Sequence, residues 1–343
     1  MIHIFSSFLV LILLAGCNSG SSLKQVEPSK GPVNVQDTLY GELLPTPLLS
    51  KTPIAIYYSP YGLIAVPGFQ NEVIQLIDTV SGKVLVSQFS RGKGPDELLN
   101  PLGMDYNPLN STFCIWDLGK QSVNLYRVSS SGFQLVNSMN YKGRKPSLIR
   151  NLNDSLNVIL SSIPNQSLLI YGETGITASV SYRILSDPNL DYFNNYYPSE
   201  IDCAPEEKII FTADPYLPFI AAYSFQGNDI VKLWDKMVFT PEYSIKNGWR
   251  YIHEESCLGF DCISVSEEFI YVTYFGVNRK QWDHDMHKNL ESVFLLVFNF
   301  DGELVKEYIL DQNLDYFTVS PDDRLIYGLI EKPDRYIVKY KLK

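Results

Sequence analysis

At 343 residues the chain is long enough for two ordinary domains or for one large repeat domain. Hydrophobic residues make up 45% of it and charged ones 19%, with 23 Tyr and 18 Phe, which excludes a disordered chain and suits sheets better than helices. The formal net charge of -10 excludes a general nucleic-acid binder, since nucleic acid demands a dominant basic surface.

Ile4 to Leu14 is an apolar run that ends in Leu14-Ala15-Gly16-Cys17. At ~1.5 Å per residue it spans about half of a ~30 Å hydrocarbon core, so it reads as a secretion signal and not as a membrane-spanning helix. The four closing residues resemble the bacterial lipobox. That resemblance implies a signal peptide over 1–16, cleavage before Cys17, and a diacylglyceryl thioether on Cys17 that holds the protein at the membrane through its lipid. The n-region departs from the pattern in offering His3 and no Lys or Arg. Residues 17–34, the lipidated Cys17 and then a stretch rich in Gly, Ser, Lys and Pro, read as a tether. Asn18 to Ser22 carries no acidic residue, and for a lipoprotein of this kind the resemblance implies an anchored domain at the outer membrane facing the periplasm, with surface exposure as the alternative.

The remainder, 35–343, reads as a single all-β domain built from a repeated four-strand unit. Asp37 to Leu44 is a short alternating segment with no partner hairpin of its own. A first unit follows at Ile54–Tyr58, Leu63–Val66, Val73–Asp78 and Val84–Phe89, and further units run over 102–141, 147–185, 201–238 and 259–311. The clearest copy is the last of these, in which Asp301-Gly302 supplies a hairpin signal between two aromatic and β-branched runs. A sixth unit has three strands, Phe317–Val319, Arg324–Ile330 and Tyr336–Leu342, and Asp37 to Leu44 is expected to complete it as an outer strand. Four triplets, Met104-Asp105-Tyr106, Ile201-Asp202-Cys203, Phe260-Asp261-Cys262 and Leu314-Asp315-Tyr316, superpose as markers of the innermost strands. A lone four-stranded meander leaves its apolar faces bare, so these units are expected to stack as a six-bladed β-propeller whose last blade is closed by the N-terminal strand.

Between the first two units lies Arg91-Gly92-Lys93-Gly94-Pro95-Asp96-Glu97-Leu98. With the lipobox and the unit count, this stretch resembles the G-x-G-P-x-E-hydrophobic linker of the TolB-like six-bladed β-propeller lipoproteins of Bacteroidetes. The resemblance implies the fold and the envelope address but no enzymatic activity. Physically the linker reads as a rigid turn, in which Glu97 pairs with Arg91 or accepts backbone N–H groups. It lacks the Lys-Ser/Thr ending of a phosphate-binding loop.

Other constellations are weaker. Trp116-Asp117 resembles the WD40 dipeptide but lacks its repeats and reads as a strand end. Cys257 and Cys262 are the best-placed pair for a disulfide, whereas the matching positions of Cys203 and Cys262 in their units point to buried thiols. His284 and His287 lie one turn apart, but a metal centre needs further ligands, so no metal and no cofactor is expected. There is no G-x-S-x-G elbow and no ordered Ser/His/Asp set, and no catalytic residue is assigned.

Strand order puts the links between blades on one face and the first-to-second-strand turns on the other. The link face collects basic and aromatic residues, the turn face acidic ones such as Glu206, Glu207, Glu267 and Glu268. The expected function is therefore a noncatalytic, lipid-anchored propeller that binds a glycan, peptide or envelope protein, and not nucleic acid, through its link face. The candidate binding residues are Trp249, Arg250, Tyr251, Trp282, Arg279, Arg91 and Lys93, since aromatic faces stack on sugars or peptide side chains and Arg or Lys pairs with acidic groups. The alternative is a hydrolase or lactonase-like enzyme working at the central channel, an analogy of fold alone.

Overall fold

The computed structural model describes residues 37–45, 53–67, 72–94, 96–141, 146–163, 166–180, 189, 200–226, 229–274, 276–280, 293–331 and 335–342. Cys17, the tether, Trp282 and the pair His284 and His287 lie outside the described residues. Two short strands come first, β1 (Asp37–Leu39) and β2 (Glu42–Leu43). Blade one is β3 (Pro53–Ser59), β4 (Gly62–Pro67), β5 (Glu72–Ile77) and β6 (Val84–Ser90), paired antiparallel in that order. Blade two is β7 (Pro101–Asn107), β8 (Thr112–Asp117), β9 (Ser122–Ser129) and β10 (Gly132–Asn140). Blade three is β11 (Pro146–Asn151), β12 (Leu156–Ile163), β13 (Gln166–Gly172) and β14 (Gly175–Val180). Blade four is β15 (Glu200–Ala204), β16 (Ile209–Ala213), β17 (Phe219–Gln226) and β18 (Asp229–Met237), followed by a separate hairpin of β19 (Tyr243–Lys246) and β20 (Trp249–Ile252). Blade five is β21 (Phe260–Val265), β22 (Phe269–Tyr274), β23 (Val293–Asn299) and β24 (Leu304–Leu310), and blade six is β25 (Tyr316–Val319), β26 (Leu325–Glu331) and β27 (Arg335–Lys341).

The expected Asp-Gly hairpin joins β23 to β24, and Gly302 takes a φ of 73° there. A Cβ at Gly302 would lie 2.8 Å from the Trp234 ring, whose Nε1 donates to the Phe300 carbonyl at 2.8 Å. The turn of blade five is thus seated on the outermost strand of blade four, and only glycine fits between them.

Burial explains why the blades cannot stand alone. Middle strands such as β8 are buried along their whole length, so both faces of each sheet need a neighbour. Six apolar clusters meet that need, each shared by two adjacent blades. Phe113 and Ile64 belong to the first junction, Trp116 and Ile159 to the second, and Leu160 and Phe219 to the third. Phe211 and Phe260 pack in the fourth, Leu295 and Ile326 in the fifth, and Ile56 with Tyr327 and Leu329 in the sixth. The last of these joins blade six back to blade one and closes the ring.

The N-terminal segment divides its work between two blades, which corrects the expectation of one outer strand on the last. Glu42 and Leu43 pair antiparallel with Lys339 and Val338 and do complete blade six. Asp37 to Leu39 instead run parallel to Tyr308–Leu310 and add a fifth strand to blade five. The chain crosses between the two at Gly41, whose N–H donates to Asp311 Oδ1 at 3.0 Å and where a Cβ would collide with Val338. Leu39 is buried at the junction of blades five and six and Leu44 at that of six and one. Leu39→Ala and Leu44→Ala should each lower stability by ~2–4 kcal/mol in urea unfolding, while Leu43→Ala, half exposed, should cost under ~0.5 kcal/mol. Equal effects at all three positions would mean that the segment does not fasten the ring.

Candidate functional site

The innermost strands of all six blades surround a central cavity of about 630 Å³. Its wall is built from strand residues such as Tyr57, Asp105, Arg150, Asp202 and Thr318, and its mouth from Leu109, Glu206, Glu207, Glu267 and Glu268. These mouth residues sit on first-to-second-strand turns, so the cavity reaches the acidic face.

Arg150 on β11 is the hub of the wall. Its Nε lies 3.4 Å from Asp202 Oδ1 on β15 and 3.7 Å from Asp105 Oδ1 on β7, so one guanidinium faces the carboxylates of the blades on either side. Each carboxylate also holds a backbone: Asp105 Oδ2 accepts Asn151 N–H at 2.7 Å, and Asp202 Oδ2 accepts Val265 N–H at 2.7 Å. The remaining junctions are stitched in kind. Tyr57 donates its hydroxyl to the Met104 carbonyl at 2.6 Å, Val319 N–H donates to Ser264 Oγ at 3.2 Å, and Tyr58 N–H donates to Thr318 Oγ1 at 3.1 Å. An innermost strand has no further strand to pair with, and these side chains satisfy its open edge.

The acids of the wall are displaced from the ordinary carboxylate range. Burial pushes Asp105 up to about 7, against the lowering pull of Arg150, and pushes Asp202 up as well. Glu200 is pushed up to about 7 by burial, with Arg150 opposing and Asp261 adding to it. Burial likewise carries Asp261 to about 6, despite the Cys262 thiol that donates to it. Arg150 is held above its ordinary value: burial works against its charge, but Asp105 and Asp202 outweigh that.

The expected binding residues fall into separate groups. Trp249 and Tyr251 project to solvent from one face of β20, whereas Arg250 between them is buried and its charge acts on the buried Asp214. Arg279 donates from Nη1 to the Ile252 carbonyl and so joins this hairpin. Arg91 and Lys93 are exposed in the link between blades one and two, across the ring from the hairpin between four and five. In that link Glu97 turns back and accepts the Gly94 N–H at 2.6 Å, and a Cβ at Gly92 would strike the same carboxylate. The protein's own acid thus fills the space a phosphate would take. Lys120 locks the turn by donating to the Gly94 and Glu97 carbonyls, and Asp117 accepts Leu99 and Asn100 N–H groups from the same stretch. The four described cysteines are free thiols, and Cys203 and Cys262 border the cavity.

The channel acids were visible in the sequence as the recurring Asp of the innermost-strand triplets, but they read there as repeat markers. Arg150 carried a signal too, as a cation directly after the apolar pair Leu148-Ile149 on an expected strand.

Comparison with known proteins agrees with this architecture. The TolB-like 6-blade propeller-like family model matches residues 199–322, which span blades four and five and the start of six. The chain is similar in structure to a protein of Bacteroides fragilis described as exported, at 12% identity and a TM-score of 0.58 over 89% of this chain and 95% of that one. It is similar also to a member of the DUF4221 family from Bacteroides vulgatus, at 10% identity and a TM-score of 0.56 over 89% and 96% of the two chains. The RRP9 WD40 repeats match at 9% identity and a TM-score of 0.51 over 88% and 97%. At these identities the likeness is one of fold. A search of curated proteins finds no match.

The raised carboxyls give stability a pH dependence. Between the ordinary carboxylate pKa near 4 and about 7, the folded chain holds protons on Glu200 and Asp261 that the unfolded chain has released. Their contribution is therefore complete in acid and is lost as pH rises through 6–7. The melting temperature should fall between pH 5 and pH 8, by at least ~1.4 kcal/mol in stability for the set, and Glu200→Gln should flatten the fall. A flat or rising profile over that range would contradict the placement of these acids.

Proposed function

We propose that the protein is a noncatalytic binding propeller of the cell envelope, held by a lipid on Cys17, that seats its ligand in the central cavity. The observation that carries this reading is the way the wall acids are used. Asp105 and Asp202 face Arg150 and each holds a backbone N–H of the next blade, so they are engaged in keeping the wall in place. A hydrolytic site needs a nucleophile, a base and an orienting group in mutual reach, and a channel whose carboxylates brace the scaffold suits recognition better. Envelope location is supported by the lipobox-like Leu14-Ala15-Gly16-Cys17 and by the fold likeness to an exported Bacteroides protein. The G-x-G-P-x-E linker supports kinship with the TolB-like lipoproteins of Bacteroidetes, and the lack of acidic residues from Asn18 to Ser22 supports a site facing the periplasm.

A second ligand surface has an observation of its own. Trp249 and Tyr251 are both more than two-fifths exposed, on the same side of β20, and a pair of flat rings so placed suits a glycan or a peptide of an envelope protein. A thermal-shift screen of glycans, peptides and small metabolites separates the two sites. Ligand-induced stabilisation should vanish in Leu109→Trp, which narrows the mouth, and persist in the double variant Trp249→Ala, Tyr251→Ala. The reverse result would move the site to the hairpin. In cell fractions Cys17→Ser should leave the membrane or remain uncleaved, and should lose labelling by a clickable palmitate analogue; retained labelling would exclude this acceptor.

A further inference from the structure

We infer that the cavity takes an organic cation, a ligand bearing a protonated amine or guanidinium on a carbon skeleton. The inference rests on the cavity reading above and names the ligand's chemistry. Three features of the wall and mouth converge on it. Among the described lining residues the charges are unequal, since Arg150 stands alone against Asp105, Asp202 and Glu200 in the wall and against the exposed glutamates of the mouth. Asp105 and Asp202 already face Arg150, but Glu200 does not share that arrangement. No described residue donates a hydrogen bond to its carboxyl, which is set in the wall beside the hub.

The second feature is aromatic. Tyr57, Tyr58 and Tyr316 border the same space; Tyr57 packs against Phe113 and Tyr58 stacks on Tyr327, so Tyr316, two-fifths exposed, offers the open ring, and a ring face attracts a cation while tolerating the carbon skeleton behind it. The third is the route. A cation approaching the turn face meets Glu206, Glu207, Glu267 and Glu268 before it reaches Glu200, so the field draws it inward and repels an anion. The volume of about 630 Å³ suits a ligand larger than a metal ion and comparable to a small organic molecule or one side chain with its neighbours.

The test is calorimetric titration of the full folded chain with pentylguanidine, its neutral isostere pentylurea and the anion pentanoate, together with a blocked tripeptide carrying a central arginine. Pentylguanidine or the peptide should bind, and the tighter of the two identifies the source as a free amine-type metabolite or as a partner's side chain. Pentylurea and pentanoate should bind at least tenfold more weakly. Glu200→Gln should weaken the cation tenfold or more and leave pentylurea unchanged. Equal binding of the three small probes, binding of none of them or of the peptide, or an unaltered affinity in Glu200→Gln would overturn the proposal. Leu109→Trp keeps the two readings apart: cation binding that survives it lies outside the cavity, whereas pentylurea binding that it abolishes leaves the cavity as the site and removes only the charge preference.

Discussion

The structure depends on the cation set in the channel wall. Arg150 carries its charge into the wall of the channel, and withdrawing a guanidinium from water costs several kcal/mol that only close opposite charge can offset. Asp202 and Asp105 supply it from the blades on either side, at 3.4 and 3.7 Å. Those carboxylates in turn bond the backbone of blades five and three. One residue thereby fixes the relative positions of four of the six blades around the axis.

That constraint answers a general difficulty of the fold. The innermost strand of every blade exposes an unpaired edge toward its neighbours, and water in a narrow channel satisfies it poorly. Here hydroxyls serve at three junctions, through Tyr57, Ser264 and Thr318, and the Arg150 cluster serves at the others. The apolar clusters between blades provide the bulk of the cohesion, while the polar stitches select one register. A wall determined in this way does not have to rearrange to receive a ligand, which lowers the entropy cost of binding.

Much of this was legible in the sequence, and what was missed has physical causes. Strands and turns are local, so the alternation in Phe260 to Val265 and the Asp301-Gly302 turn located their elements without tertiary knowledge. The inward direction of Asp105 and Asp202 depends on the ring being closed, and nothing within either triplet specifies it. The crossing of the N-terminal segment from blade five to blade six is likewise a contact between sheets, marked along the chain only by Gly41. At the hairpin the information was present: a period of two places Trp249 and Tyr251 on one side and Arg250 with Ile252 on the other, as the burial of Arg250 and Ile252 shows. Grouping Arg250 with its aromatic neighbours disregarded that period.

Arg150 and its two aspartates act as one unit in bracing the wall, and a double-mutant cycle measures that coupling. Arg150→Met, Asp202→Asn and the double variant would be compared by urea unfolding. Arg150→Met should lose ~3–5 kcal/mol, because it strands the buried Asp105 and the partly buried Asp202. The double variant should lose less than the sum of the two singles by more than ~1 kcal/mol. Losses that add within ~0.5 kcal/mol would show the residues to be independent and would remove the basis for a braced cavity.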